Sequence, residues 1–167
     1  MNDFDDSYRA IPLRFIIGSF ALAMLLDFMP LPFDTFFWLL DFTALTLLYW
    51  TIHQPHRVGM GLAFVLGLVA DVATATALGL HALSYTAMVF FILYFHRRIW
   101  FYGHLMQLAA VLGALLCNQA VLVVVRLFLN RQIITWQSFI APFVGALLWP
   151  LLSQLMLFAT RFHRSRS

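Results

Sequence analysis

Apolar and polar positions divide this chain into six hydrophobic stretches, approximately 13–29, 36–52, 58–78, 82–95, 105–128 and 139–160. A hydrocarbon core ~30 Å thick takes ~20 helical residues per crossing. The pattern therefore predicts an all-α polytopic membrane protein, six transmembrane helices with short loops, in a single transmembrane domain over 1–167. Pro30 and Pro32 mark the first turn, Pro55 the second, Gly79 and His81 a tight third, and the run from His96 to His104 the fourth. Asn130 to Ser138 form the longest connection. The fourth stretch is short and Thr74 and Thr76 interrupt the third, so a tilted, bent or partly re-entrant course over 58–95 stays open.

Within the third stretch every fourth position is small: Gly59, Ala63, Gly67, Asp71, Ala75, Gly79. Small residues at this spacing let helix backbones approach closely in lipid, where no hydrophobic force draws helices together. Four-residue steps drift ~40° each, so the row holds one face only from Gly59 to Asp71. Asp71 is the informative member, because a carboxylate at the bilayer centre costs about 2.5–3.5 kcal/mol on insertion scales. It is expected to face protein, marking a seam for helix packing or for docking a partner helix. Ala109–Gly113–Cys117 and Ala110–Ala114–Asn118 give the fifth stretch similar stripes. The sixth adds Ala141–Gly145 and an internal Pro150, which should kink the helix or free a carbonyl.

Composition removes other classes. The chain is 63% hydrophobic and 10% charged, against about 45–50% and 25% in soluble domains. No separate soluble domain is expected, and with it no extramembrane catalytic or nucleic-acid-binding module. All basic residues are Arg and all acidic ones Asp. With six crossings, Arg9, Arg14, Arg57, Arg97, Arg98, Arg161, Arg164 and Arg166 share one side, and Arg126 and Arg131 the other. The excess places both termini in the cytoplasm. The acidic start (Asp3, Asp5, Asp6), with no small-residue cleavage site after the first stretch, predicts no cleavable leader.

Counting 1.5 Å per residue puts Asp41, Asp71 and Asn118 at similar depth in the outer half of the bilayer, with Arg126 above them. The expectation is a polar cluster in which Asp71 bonds to Asn118, with Asp41 or Arg126 as further partners. A structural clasp is the plain reading; a ligand or proton site, or a partner contact, is the sharper one. His53 and His56 form an HxxH pair, but a metal site needs three or four ligands, so an interfacial turn is expected and no metal. Cys117 has no second cysteine to pair with and reads as a structural thiol. No nucleophile–base order, phosphate loop or paired catalytic carboxylate is recognisable, so neither catalytic residues nor a cofactor are assigned. Trp38, Trp100 and Trp136 lie near predicted span ends and fit an aromatic belt.

Leu48-Tyr49-Trp50 ends the second stretch and Pro55-His56-Arg57 forms the turn. Gly61, Phe64, Gly67 and Asp71 follow, then Leu78-Gly79 and Ala82, and Leu148-Trp149-Pro150 lies late in the chain. This succession resembles the rod shape-determining membrane protein family MreD over nearly the whole length. Tyr49, Trp50, Pro55, Arg57, Trp149 and Pro150 are the motif residues. The chain departs at Ala75, where the family commonly has glycine. The resemblance implies a non-catalytic bacterial inner-membrane scaffold of the cell-wall elongation complex (elongasome), which maintains rod shape and supports peptidoglycan synthesis. It implies binding to MreC and, indirectly, to MreB, RodA and the transpeptidase partner of RodA. It also implies a fold similar to the substrate-binding subunits of energy-coupling-factor transporters. A partner helix is then expected on the seam containing Gly59, Gly67 and Asp71. A homodimer is a further expectation of the small-residue stripes. The alternative function is a small-molecule binding or transport subunit with a pocket around Asp71.

Overall fold

Aspartates, prolines and one glycine set the helix boundaries. The computed structural model describes residues 12–28, 41–99, 103–129 and 137–164. Six helices follow in order: α1 (Leu13–Phe28), α2 (Phe42–His53), α3 (Met60–Ala73), α4 (Leu80–Ile99), α5 (Gly103–Phe128) and α6 (Gln137–Arg164). No strand occurs among the described residues. α1 begins directly after Pro12, whose fixed φ suits helix entry, and the Phe15 N–H donates to the Pro12 carbonyl at 2.9 Å. α2 begins at Asp41, an extended N-cap whose carboxylate accepts from the Ala44 N–H. The chain leaves α3 through Thr74, reaches the left-handed region at Ala75 (φ 51°) and again at Gly79 (φ 99°), then enters α4.

α2, α4, α5 and α6 form a closed ring, each packed on its two neighbours in the cycle α2–α4–α5–α6. α1 rests on α2 and α3 rests on α4. The ring encloses the core: Leu45, Leu47, Leu48, Tyr49 and Trp50 of α2, Met88, Val89 and Ile92 of α4, Val111 and Ala114 of α5, and Ala146 and Trp149 of α6. Small residues admit these neighbours. A Cβ at Gly67 would stand 2.5 Å from the Ala82 nitrogen and 2.6 Å from the His81 carbonyl carbon, so only glycine lets α3 meet α4 there. A Cβ at Gly113 would stand 3.0 Å from the Phe91 ring and one at Gly145 2.9 Å from a Leu115 methyl, side-chain contacts that a small shift relieves. One buried polar contact fixes α1 on α2: the Trp50 indole N–H donates to Ser19 Oγ at 2.8 Å, and Ser19 donates to the Ile16 carbonyl at 2.7 Å.

The elements sit close to the apolar stretches, with one informative shift. The expected third span, 58–78, ends as helix at Ala73, and α4 starts at Leu80. The helix breaks where Ala75 takes left-handed backbone: the Thr74 hydroxyl donates back to the Ala70 carbonyl at 2.7 Å, and Thr76 N–H donates to the Asp71 carbonyl at 3.0 Å, closing the turn. The fourth helix is longer than its stretch, running on through His96, Arg97 and Arg98. α6 continues through both Pro142 and Pro150. Two segments, Met106–Phe128 and Ile140–Phe158, are long and apolar enough to cross a membrane, and Met60–Ala73 and Leu80–Phe95 are shorter apolar helices. Trp38, Trp100, Trp136, Arg131 and the 29–40 connection lie outside the described residues.

Candidate functional site

Three carboxylates gather at the end of the bundle where α1 turns into α2 and α3 into α4. Each is held by backbone N–H groups that a helix start leaves without partners.

Asp71 lies on the last turn of α3, and its residue exposure is 0%. Its Oδ2 accepts from the Gly79 N–H at 2.8 Å and the Ala82 N–H at 3.4 Å. Its Oδ1 accepts from the His81 N–H at 2.8 Å and from the Thr76 hydroxyl at 3.2 Å, and pairs with His81 Nδ1 at 2.8 Å. Asp71 thus caps the first turn of α4 from the preceding helix. The capping position itself, Gly79, has no side chain to offer, and its φ of 99° suits glycine. The charge faces the positive end of the α4 dipole. Five donors take up the four lone-pair directions of a carboxylate, which leaves no free acceptor for a ligand.

The α1–α2 junction repeats the device with two carboxylates. Asp27, on the last turn of α1, accepts from the Phe42 N–H at 2.8 Å, the Thr43 N–H at 2.9 Å and the Thr43 hydroxyl. Asp41 accepts from the Ala44 N–H at 2.8 Å. Three consecutive donors of α2 are therefore satisfied, two of them by the helix before it. Tyr85 of α4 ties the two junctions together. Its hydroxyl donates to the Asp41 carboxylate, 2.9 and 2.8 Å from the two oxygens, and its ring lies 5.9 Å from that of His81 in an edge-on arrangement. Asp27, Asp41, Tyr85, His81 and Asp71 make one polar layer linking α1, α2, α4 and α3.

The expected cluster of Asp41, Asp71, Asn118 and Arg126 is not what forms. Asp71 and Asp41 join the layer through separate partners. Asn118 of α5 is 5% exposed, and its Oδ1 has no hydrogen-bond partner among the described residues. Arg126 stands half-buried in the last turn of α5, and the ion pair among the described residues is that of His81 with Asp71. The physical reason is the early turn. The chain reverses just beyond Asp71, so the unpaired donors nearest its carboxylate are those of the helix about to start, not a side chain one helix further away.

The seam residues divide. Gly67, Ala63 and Asp71 are covered by α4 of the same chain. Gly59 is open, with nothing within 4 Å of an added Cβ. The expected docking groove over Gly59, Gly67 and Asp71 is thus filled at two of its three residues by α4. Among the motif residues, Tyr49, Trp50 and Trp149 converge in the core, with ring centroids 5.4 Å apart for the first pair and 6.4 Å for Tyr49 and Trp149. Pro55 and Arg57 shape the α2–α3 turn, and Pro150 faces outward. His53 stacks on Tyr49 at 4.2 Å while His56 is exposed, and no group of three metal-binding side chains occurs among the described residues.

Asp27, Thr43 and Tyr85 were not singled out as site residues by sequence, and His81 was read only as a marker of the third turn. Asp41-Phe42-Thr43-Ala44 carries a helix-start signature, and that signal makes Asp41 a cap. Nothing local announces that Asp27 and Asp71 act on the next helix.

Fold and site together define a helical bundle with outward apolar faces, in which one buried and two half-buried carboxylates cap helix starts. The chain matches the family model for rod shape-determining protein MreD over residues 8–159. It is 28% identical over 146 residues to the rod shape-determining protein MreD of Haemophilus influenzae, covering 84% of this chain and 87% of that protein. The chain belongs to the MreD family, a family of membrane proteins that determine rod shape. No solved structure matches it.

Proposed function

We propose that this chain is a non-catalytic scaffold of the cell-wall elongation complex in the bacterial inner membrane. In this reading it crosses the membrane six times with both termini in the cytoplasm. It binds the single-span protein MreC and so links MreB filaments to RodA and its partner transpeptidase. The family match carries the shape-determining part. The arginine distribution supports the orientation. The observation that favours a scaffold over a pocket protein is Asp71 itself: fully buried, with both oxygens saturated by Thr76, Gly79, His81 and Ala82. A transport or ligand-binding subunit centred there would need acceptor capacity that the α4 start already occupies.

The test is affinity purification of the tagged full chain from a rod-shaped bacterium in mild detergent, followed by mass spectrometry of proteins and small molecules. A single-span protein with a periplasmic domain, recovered in stoichiometric amount, is the expected result. A stoichiometric metabolite with no such protein would overturn the scaffold reading.

A further inference from the structure

The hydrophobic thickness of this bundle is uneven. α5 and α6 carry apolar segments of 23 and 19 residues, about 35 and 29 Å at 1.5 Å per residue. α3 has 14 residues, about 21 Å. Irregular backbone marks both of its ends. Before it lies the 54–59 turn with His56 and Arg57 exposed; after it lies the 74–79 turn, with Thr74, Ala75 and Leu78 exposed and left-handed backbone at Ala75 and Gly79.

Neither end can sink into hydrocarbon. Lipid-exposed irregular backbone does not occur within the hydrocarbon region, because its polar groups find no partner there. The Asp71 clasp holds the second turn at the α3 terminus, so it cannot unwind to add another helical turn. α3 also rests principally on α4, which leaves Met60, Phe64, Val65, Val69 and Val72 facing outward, Val72 at 70% exposure. A band about 21 Å tall must therefore meet a bilayer whose hydrocarbon core is ~30 Å thick. A span this short is accommodated by thinning the bilayer.

We propose that the α3 edge is a lipid-facing surface at which the bilayer is thinned by about 9 Å, the difference between these two thicknesses, while the α5–α6 side meets lipid of ordinary thickness. The occupant is the acyl chains of that thinned zone. Band height and the polar turns at both ends argue for it: a flush fit to an unperturbed leaflet would leave the 74–79 turn in hydrocarbon. The inference rests on the six-span reading and adds a membrane-shaping property to it.

The test uses the full chain with Cys117→Ala and one new cysteine at a time, Met60→Cys, Val72→Cys, Leu78→Cys or Leu147→Cys, each at an exposed position. The proteins carry a thiol-reactive fluorophore in dioleoylphosphatidylcholine vesicles containing a nitroxide lipid, labelled at the headgroup or at mid-chain. Labels at 60, 72 and 78 should be quenched more strongly by the headgroup nitroxide, and the label at 147 by the mid-chain nitroxide. A membrane-impermeant thiol reagent should reach 60 and 72 from opposite sides. Stronger mid-chain quenching at 72 and 78, with opposite-side labelling, would overturn the thinning and leave six spans standing. Same-side labelling would overturn both. Protection of 72 and 78 from either nitroxide would also overturn the proposal, since a protein would then cover the edge.

Discussion

Asp71 and His81 are joined twice: Asp71 Oδ1 accepts from the His81 backbone N–H and pairs with the ring Nδ1, both at 2.8 Å. An ionised carboxylate only accepts, so the second contact assigns the ring proton to Nδ1. The pair makes a residue of α3 part of the start of α4, and the α3–α4 hairpin becomes a single unit.

Removing that cap should be costly. Asp71→Ala leaves the Gly79, His81 and Ala82 N–H groups without their acceptor, and one buried unsatisfied group costs about 1–3 kcal/mol. Asp71→Asn keeps one acceptor oxygen but turns an NH₂ toward N–H donors, so it should lose less. Unfolding in mixed micelles should rank wild type above Asp71→Asn and Asp71→Ala lowest.

Two glycines of α3 should behave oppositely. Gly67→Ala drives a methyl into the Ala82 backbone, and overpacking of this kind costs about 1–3 kcal/mol, here toward the upper end because backbone cannot rotate away. Gly61→Ala meets open space and should stabilise the helix by about 0.5–1 kcal/mol. Stability measured side by side on the two variants checks this.

Ala75 is a non-glycine residue at φ 51°. The left-handed region costs such a residue roughly 1–2 kcal/mol, partly offset on substitution by the greater unfolded-state freedom of glycine. Ala75→Gly should raise stability by about 0.5–1 kcal/mol on the same grounds. Unfolding midpoints of the two proteins in one detergent decide it.

The hydrophobic pattern carried the number and order of helices because apolar runs and prolines are local signals. Tyr49, Trp50 and Trp149 were picked out as motif residues, and they meet in the core. What was not legible is long-range pairing. Matching depth brought Asp71 and Asn118 together on paper, yet depth says nothing of azimuth, and azimuth was decided by where α3 stopped. That stop came with a left-handed alanine, Ala75, a weak signal inside an apolar run. Tyr85 could not be seen as a partner of Asp41 without knowing that α4 lies beside α2.

Tyr85 should act with Asp41 as a unit. A hydrogen bond to a charged group is worth about 1.5–3 kcal/mol, so Tyr85→Phe should destabilise by that order. In a double-mutant cycle with Asp41→Asn, the coupling should reach about 0.5–3 kcal/mol, as for residues in direct contact. Additive losses would separate the α1–α2 junction from α4.

The most direct measurement is cell shape with Asp71→Asn as the sole copy, at expression adjusted so that folded protein in the membrane equals the wild-type amount. If the carboxylate only organises the α3–α4 reversal, cells stay rod-shaped once folded levels are matched. Round cells at matched folded levels would show that the charge of Asp71 does work beyond holding the hairpin, and would contradict its assignment as a structural cap.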